Sequence, residues 1–276
     1  MHYSTLAFIG GGNMARSLIG GLINDGYPAE RLWVADPGAE HRQQLAGQFG
    51  IHTTADNLEA LAHAEVVVLA VKPQVIKGVA VQLADAVQQR RPLVLSIAAG
   101  VREPDLRRWL GGDLPIVRSM PNTPALVGSG AAALYANPWV SAAQRQQAES
   151  ILRACGLTVW VEQETLLDAV TALSGSGPAY FFLVMEAMEQ AGVALGLEPA
   201  TARLLTLQTA FGAAKMALES EEGPALLRER VTSPGGTTER AIAVLREAGL
   251  EALFGRALSA ACERARELGD LLGEQS

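Results

Sequence analysis

The chain has 276 residues, 49% apolar and 18% charged, with a formal net charge of −7. That length suits a large buried core and usually two domains, and the composition is globular rather than disordered. The acidic balance speaks against a nucleic-acid backbone as partner, and the widely separated Cys155 and Cys262 offer neither a disulfide framework nor a metal site.

The first 160 or so residues alternate short β-rich runs with helical stretches. Strands are predicted over residues 5–9, 31–35, 66–71, 93–97, 116–119, 131–135 and 158–161, and helices over 13–25, 38–49, 74–88, 104–110 and 141–155. Such alternation is the pattern of parallel strands joined by crossover helices. Several strands are continuous Val, Leu, Ile and Ala runs, as expected where helices cover both faces. No basic segment precedes the first strand, so no signal peptide is expected and the cytoplasm is the expected location. From about Glu162 onward the spacing is helical and no strand is predicted. This divides the chain into an α/β nucleotide-binding domain over 1–162 and an all-helical domain over 163–276. The most apolar long stretch, residues 179–197, contains Glu186 and Glu189, which speaks against a membrane span.

The first strand runs into Ile9, Gly10, Gly11, Gly12, Asn13, Met14 and Ala15, a G-x-G-x-x-A turn opening a helix. Gly10 allows the tight turn, Gly12 lets the backbone approach a pyrophosphate, and Ala15 permits close helix–strand packing. The helix N-terminus adds free N–H groups and partial positive charge. Asp36 ends the second strand 21 residues after Ala15, the usual place for a carboxylate that holds the adenosine ribose of NADH. His41 and Arg42 lie close enough in sequence to reach the 2′-phosphate of NADPH instead, so the cofactor is NADPH or NADH. Two further segments punctuate the helical half: Ser174, Gly175, Ser176, Gly177, Pro178, and Ser233, Pro234, Gly235, Gly236, Thr237, Thr238.

Three more segments stand at the C-terminal ends of predicted strands, where ligands bind in open α/β sheets. They are Ala70, Val71, Lys72, Pro73; residues 96–100, with Ala98 and Ala99; and Arg118, Ser119, Met120, Pro121, Asn122, Thr123, Pro124. With the Ser174 and Ser233 segments they resemble pyrroline-5-carboxylate reductases over essentially the whole chain, most specifically in the run from Val231 to Ala241. The resemblance implies an α/β Rossmann-like N-terminal domain followed by an all-α dimerisation domain of the 6-phosphogluconate dehydrogenase C-terminal-like type. It implies NAD(P)H-dependent reduction of (S)-1-pyrroline-5-carboxylate to L-proline, the last step of proline synthesis, by a homodimer or higher ring oligomer. It also implies that Ile9 to Met14, Asn57, Ala70 to Pro73, Ala98 and Ala99 contact the cofactor, while Asn122 and the loop from Ser233 to Thr238 line the substrate site. Asp36 departs from the neutral residue that many members carry there.

The chemistry agrees. Ketone reduction needs a proton donor, usually His, Lys or Tyr. The histidines, His2, His41, His52 and His63, all fall early, lysine occurs only at 72, 77 and 215, and no Tyr-x-x-x-Lys pair is present. A protonated cyclic imine asks for less, because hydride transfer removes its charge, and positioning is most of the work. The site must anchor the substrate carboxylate, which Ser233, Gly236, Thr237 and Thr238 can do through backbone N–H groups at a helix N-terminus and hydroxyls. Thr238 is the catalytic candidate, placed to hydrogen-bond the ring nitrogen. The alternative for Thr237 and Thr238 is an ordinary helix N-cap. Phe181 stands where β-hydroxyacid dehydrogenases place a lysine, which argues against alcohol chemistry. Another imine reductase and a non-catalytic NAD(P)H sensor are the remaining rivals.

Overall fold

The computed structural model describes residues 3–274, so His2 lies outside it. Eight strands form one sheet: β1 (Leu6–Ile9), β2 (Leu32–Ala35), β3 (His52–Thr54), β4 (Val66–Leu69), β5 (Leu93–Ser96), β6 (Ile116–Pro121), β7 (Gly130–Ala136) and β8 (Gly156–Trp160), in the order β3-β2-β1-β4-β5-β6-β7-β8. The helices interleaved with them are α1 (Asn13–Asn24), α2 (Ala39–Phe49), α3 (Asn57–Ala62), α4 (Pro73–Arg90), α5 (Glu103–Trp109), α6 (Ala142–Arg153) and α7 (Leu166–Val170). Beyond them come α8 (Gly177–Ala194), α9 (Pro199–Glu219), α10 (Pro224–Arg230), α11 (Thr237–Glu247) and α12 (Leu250–Glu274), with no strand among the described residues after β8.

The central strands β1, β4 and β5 form from apolar runs whose residues are all buried, with helices covering both faces. Leu6, Phe8, Val66, Val68, Leu93 and Leu95 pack into one core with Leu18 and Ile19 of α1 and Ile151 of α6. Ala7, Ile9, Val67 and Leu69 point into a second core with Ile76, Ala80 and Leu83 of α4 and Leu106 of α5. Fully burying one such side chain contributes roughly 1.5–3 kcal/mol.

Pairing from β3 through β6 is parallel, but β7 runs antiparallel to β6. The expectation of a wholly parallel sheet is corrected there. Only the single short 3₁₀ turn Thr123–Val127 links β6 to β7, and a parallel connection needs a crossover of a dozen or more residues. Sequence reading also misses β3 and α3. The former is three polar residues on an edge, paired only with β2, and the latter is a six-residue helix begun by the Asp56 side chain accepting from the Leu58 N–H.

By compactness the chain divides into two units. One runs through Ser176 and resumes from Ala260; the other is Gly177–Ser259. In the first, the end of α12 packs back on the sheet unit: Leu272 joins the second core, and Arg102 pairs with Asp270 at 2.7 Å. The second is helical throughout. Its α8 and α9 meet at small residues, where a Cβ on Gly192 would lie 3.4 Å from that of Ala202. Among the described residues no helix is long and apolar enough to cross a membrane, and no group of His, Cys, Asp and Glu could hold a metal ion.

Candidate functional site

Strand order reverses at β1, which has β2 on one side and β4 on the other. Open α/β sheets bind ligands at the carboxyl ends of the strands flanking such a switch point. Gly10 to Ala15 follow β1, and Ala70 to Pro73 follow β4, so both segments stand there.

The three glycines of the turn have different reasons to be glycine. Gly10 has φ +101, and a Cβ on it would come 2.8 Å from the Ala70 carbonyl oxygen. A Cβ on Gly11 would meet Leu45 Cδ1 at 2.8 Å and Asp36 Oδ2 at 3.2 Å. Gly12 has ordinary extended dihedrals, and a Cβ on it would meet nothing within 4 Å. Packing therefore demands the first two glycines and leaves the third unexplained by the protein itself. Bare backbone beside open space, at the N-terminus of α1, fits the approach of a pyrophosphate. Gly12 is also the α1 N-cap and carries no side chain to cap it, so the first N–H groups of α1 remain for a ligand. Ala15 is buried and Met14 half-buried, while Asn13 is exposed beside Gly12.

Around this turn, Ala98 is buried and Ala99 exposed beyond β5. Lys72 is the exposed N-cap of α4, whose first residue is Pro73. Asn57 donates from Nδ2 to Gln82 Oε1 at 2.9 Å, leaving its own carbonyl oxygen for another donor. Asp36 follows β2 directly. Its Oδ2 accepts from the Gly11 N–H at 2.9 Å and its Oδ1 from the Gly38 N–H at 2.8 Å.

Asn122 follows β6 with its side chain spent on structure. Nδ2 donates to the Ser174 carbonyl and hydroxyl oxygens, both at 3.2 Å, and Oδ1 accepts from the Ala131 N–H at 2.8 Å. It clamps the end of β6 to the wide helical turn Thr171–Gly175. There the Ser176 N–H reaches back five residues to the Thr171 carbonyl. The segment expected as a plain break between helices is thus a π-type turn, and Asn122 acts on its surroundings by holding it. Upstream on β6, buried Arg118 pairs with Glu164 at 2.5 Å, an unforeseen partner 46 residues away. Nearby, burial pushes the Asp168 carboxyl above its usual range against the pull of Arg102, Arg118 and Arg266.

In the helical unit, the Ser233 segment opens α11. Gly236 is the N-cap and no side chain caps the helix, so the reading of Thr237 or Thr238 as an N-cap is corrected. The Ser233, Thr237 and Thr238 hydroxyls make no hydrogen bond among the described residues; Thr238 is half-buried, the other two exposed. The Gly236 N–H, expected to face a ligand, instead donates to the Ser233 carbonyl at 3.0 Å. Its lack of a Cβ matters more, since one would lie 2.9 Å from that same oxygen. Glu239, not foreseen, accepts from the Gly235 N–H at 2.7 Å and folds the loop onto its helix. The N–H groups of Thr237, Thr238 and Glu239 then stand at the helix start with no intrahelical acceptor, a place suited to a carboxylate.

A glycine turn of dinucleotide-binding form at the switch point of a Rossmann-like sheet, with a hydroxyl-rich helix start in the helical unit, is the frame of a nicotinamide-dependent oxidoreductase. Residues 164–268 match the family model described as pyrroline-5-carboxylate reductase dimerisation, and residues 5–100 the one described as NADP oxidoreductase, coenzyme F420-dependent. The chain is 56% identical over 269 residues to a pyrroline-5-carboxylate reductase of Pseudomonas aeruginosa, covering 98% of each chain. Among solved structures it is similar to a pyrroline-5-carboxylate reductase from Coxiella burnetii, with 50% identity, TM-score 0.94, and 97% and 99% of the two chains covered. It is likewise similar to a Plasmodium falciparum pyrroline carboxylate reductase with NADP bound, with 30% identity, TM-score 0.86, and 98% and 99% covered. The chain belongs to the pyrroline-5-carboxylate reductase family. It is an NAD(P)H-dependent oxidoreductase of C=N bonds that self-associates through its helical region.

Proposed function

We propose that this chain reduces (S)-1-pyrroline-5-carboxylate to L-proline, the closing step of proline biosynthesis, in the cytoplasm. The observation that carries the residue assignment is the start of α11, where free N–H groups and uncommitted hydroxyls gather at one helix end. Bound NAD(P)H supplies the hydride. The residues from Ile9 to Ala15, with Ala70 to Pro73, Ala98, Ala99, Asn57 and Asp36, bind and orient the dinucleotide. In the other unit, Ser233, Thr237 and Thr238 hold the substrate carboxylate and ring, with Gly236 giving the loop its shape. The functional boundary between residues 162 and 163 is supported by the end of β8 at Trp160 and by the start of the dimerisation match at residue 164.

The C=N carbon accepts the hydride and the C=N π pair becomes the nitrogen lone pair, so the iminium charge is lost. No alkoxide forms, and no strong acid is demanded of the site. The Thr238 hydroxyl accepts a hydrogen bond from the iminium N–H and orients the ring; this group touches the reacting atoms. Asn122 is a positioning residue, acting through Ser174. Apolar side chains exposed along α8 and α9 support a homodimer that assembles further into a ring.

The test follows absorbance at 340 nm with pyrroline-5-carboxylate and either cofactor, with proline quantified. Oxidation matched by proline is expected. Thr238→Ala should lower kcat/KM for the imine roughly 10- to 100-fold, the worth of a hydrogen bond to a charged group, with dinucleotide affinity unchanged. Cofactor binding without imine-dependent turnover would sink the reading and leave a sensor.

A further inference from the structure

We infer that Asp36 makes this enzyme select NADH over NADPH, through a clasp in which two main-chain N–H groups fix its carboxylate at the adenosine ribose position. The inference rests on the dinucleotide reading above and names which dinucleotide the site is built for. Register places Ala35 beside Ile9, so Asp36 emerges alongside the glycine turn. Each carboxylate oxygen has one backbone donor, Gly11 for Oδ2 at 2.9 Å and Gly38 for Oδ1 at 2.8 Å.

Both donors are glycines whose Cβ would crowd the oxygens, to 3.2 Å from Oδ2 at Gly11 and 3.1 Å from Oδ1 at Gly38. Neither has a positive φ, so backbone conformation does not require glycine at either position. At Gly38 glycine provides close approach to the carboxylate, while at Gly11 it also makes room for Leu45 Cδ1, which a Cβ would meet at 2.8 Å. The Asp36 side chain is 12% exposed, held rather than free to swing away. Each carboxylate oxygen keeps a second lone pair, so the pair can accept from the 2′- and 3′-hydroxyls of an unphosphorylated ribose. A 2′-phosphate would bring roughly −1.5 to −2 charges against a fixed anion.

The nearby cations do not reverse this. Arg42 spends Nη1 on the main-chain carbonyls of Asp36 at 2.6 Å and Pro37 at 2.9 Å, which leaves only its Nη2 and Nε donors to meet a 2′-phosphate. His41 Nδ1 stands 3.5 Å from Asp36 Oδ1 and attends the carboxylate itself.

The test measures binding to the whole protein, separately from turnover, by titration calorimetry with ADP-ribose and with 2′-phospho-ADP-ribose. ADP-ribose is expected to bind about 10-fold or more tightly, and kcat/KM should favour NADH in the same sense. Asp36→Ser should weaken ADP-ribose, strengthen the phosphorylated ligand and narrow or invert the ratio. Equal or tighter binding of 2′-phospho-ADP-ribose by the unaltered protein overturns the proposal, and that measurement suffices if the variant does not fold. A ratio that Asp36→Ser leaves unmoved in a folded variant also overturns it. If neither ligand binds, the dinucleotide reading fails and the proposal falls with it.

Discussion

The two compact units place the same kinds of side chain on opposite sides of the water boundary. In the sheet unit Phe8, Leu6, Ile9 and Leu69 are fully buried. In the helical unit Phe181, Phe182, Leu204, Phe211 and Leu218 are exposed, Leu218 to 83%. A sheet covered by helices on both faces closes its own core. Helices that are apolar nearly all round cannot, because one neighbouring helix covers only one stripe of each. Exposed apolar surface on this scale marks an interaction face, in keeping with the dimerisation family that this region matches. The sheet unit thus encloses two cores of its own, while the helical unit leaves its apolar side chains for a second chain to cover.

The largest expected effect attacks that difference directly. Leu204→Glu combined with Phe211→Glu should abolish self-association, weakening it more than about 100-fold, because charges would be buried in the interface core. Sedimentation analysis should then find monomers, and a dimer of unchanged affinity would break the comparison. Next, Phe8→Ala in the sheet unit should cost about 3–5 kcal/mol of stability while the folded fraction still dimerises; denaturant titration at two protein concentrations separates the effects. A glycine pair sharpens the contrast between what folding and ligand require. Gly10→Ala should destabilise by about 2 kcal/mol or more, from its positive φ and the clash with the Ala70 carbonyl. Gly12→Ala should cost about 1 kcal/mol or less, the loss expected when Ala replaces Gly at an N-cap, yet weaken ADP-ribose binding about 10-fold, because its new methyl occupies space open to a ligand.

The smallest effect probes the sheet unit's interior by pH. Burial pushes the Cys155 thiol, whose Sγ lies 3.2 Å from the Ser17 carbonyl oxygen, up to about 11 from an ordinary 9.0. The unfolded chain ionises first, so this contribution is constant below pH 9 and stability is lost as pH rises from 9 toward 11. Thermal melts should show that decline, and Cys155→Ala should lessen it. An unchanged slope would mean that other groups, such as Tyr27, also pushed up by burial to about 12, account for all of it.

Much of the molecule could be read from neighbouring residues. Strand, glycine turn and helix succeed one another within a few positions, and every function they encode is local: β-branched runs pair, Gly12 bares its backbone, Pro73 starts a helix. The acidic residue after β2 and the Ser233 to Thr238 loop were legible for the same reason. What stayed hidden depends on partners distant in sequence. Asn122 meets Ser174 across 52 positions, Arg118 meets Glu164 across 46, and Asp36 meets Gly11 across 25. A hydrogen bond or ion pair of that span exists only once the chain has brought its ends together, and nothing in the local pattern announces which partner will arrive. That is why the sequence marked Asn122 as a ligand contact without announcing its amide's bonds to Ser174 and Ala131. The same gap explains β7, whose apolar run announces a strand but whose direction follows from a connection too short to cross the sheet.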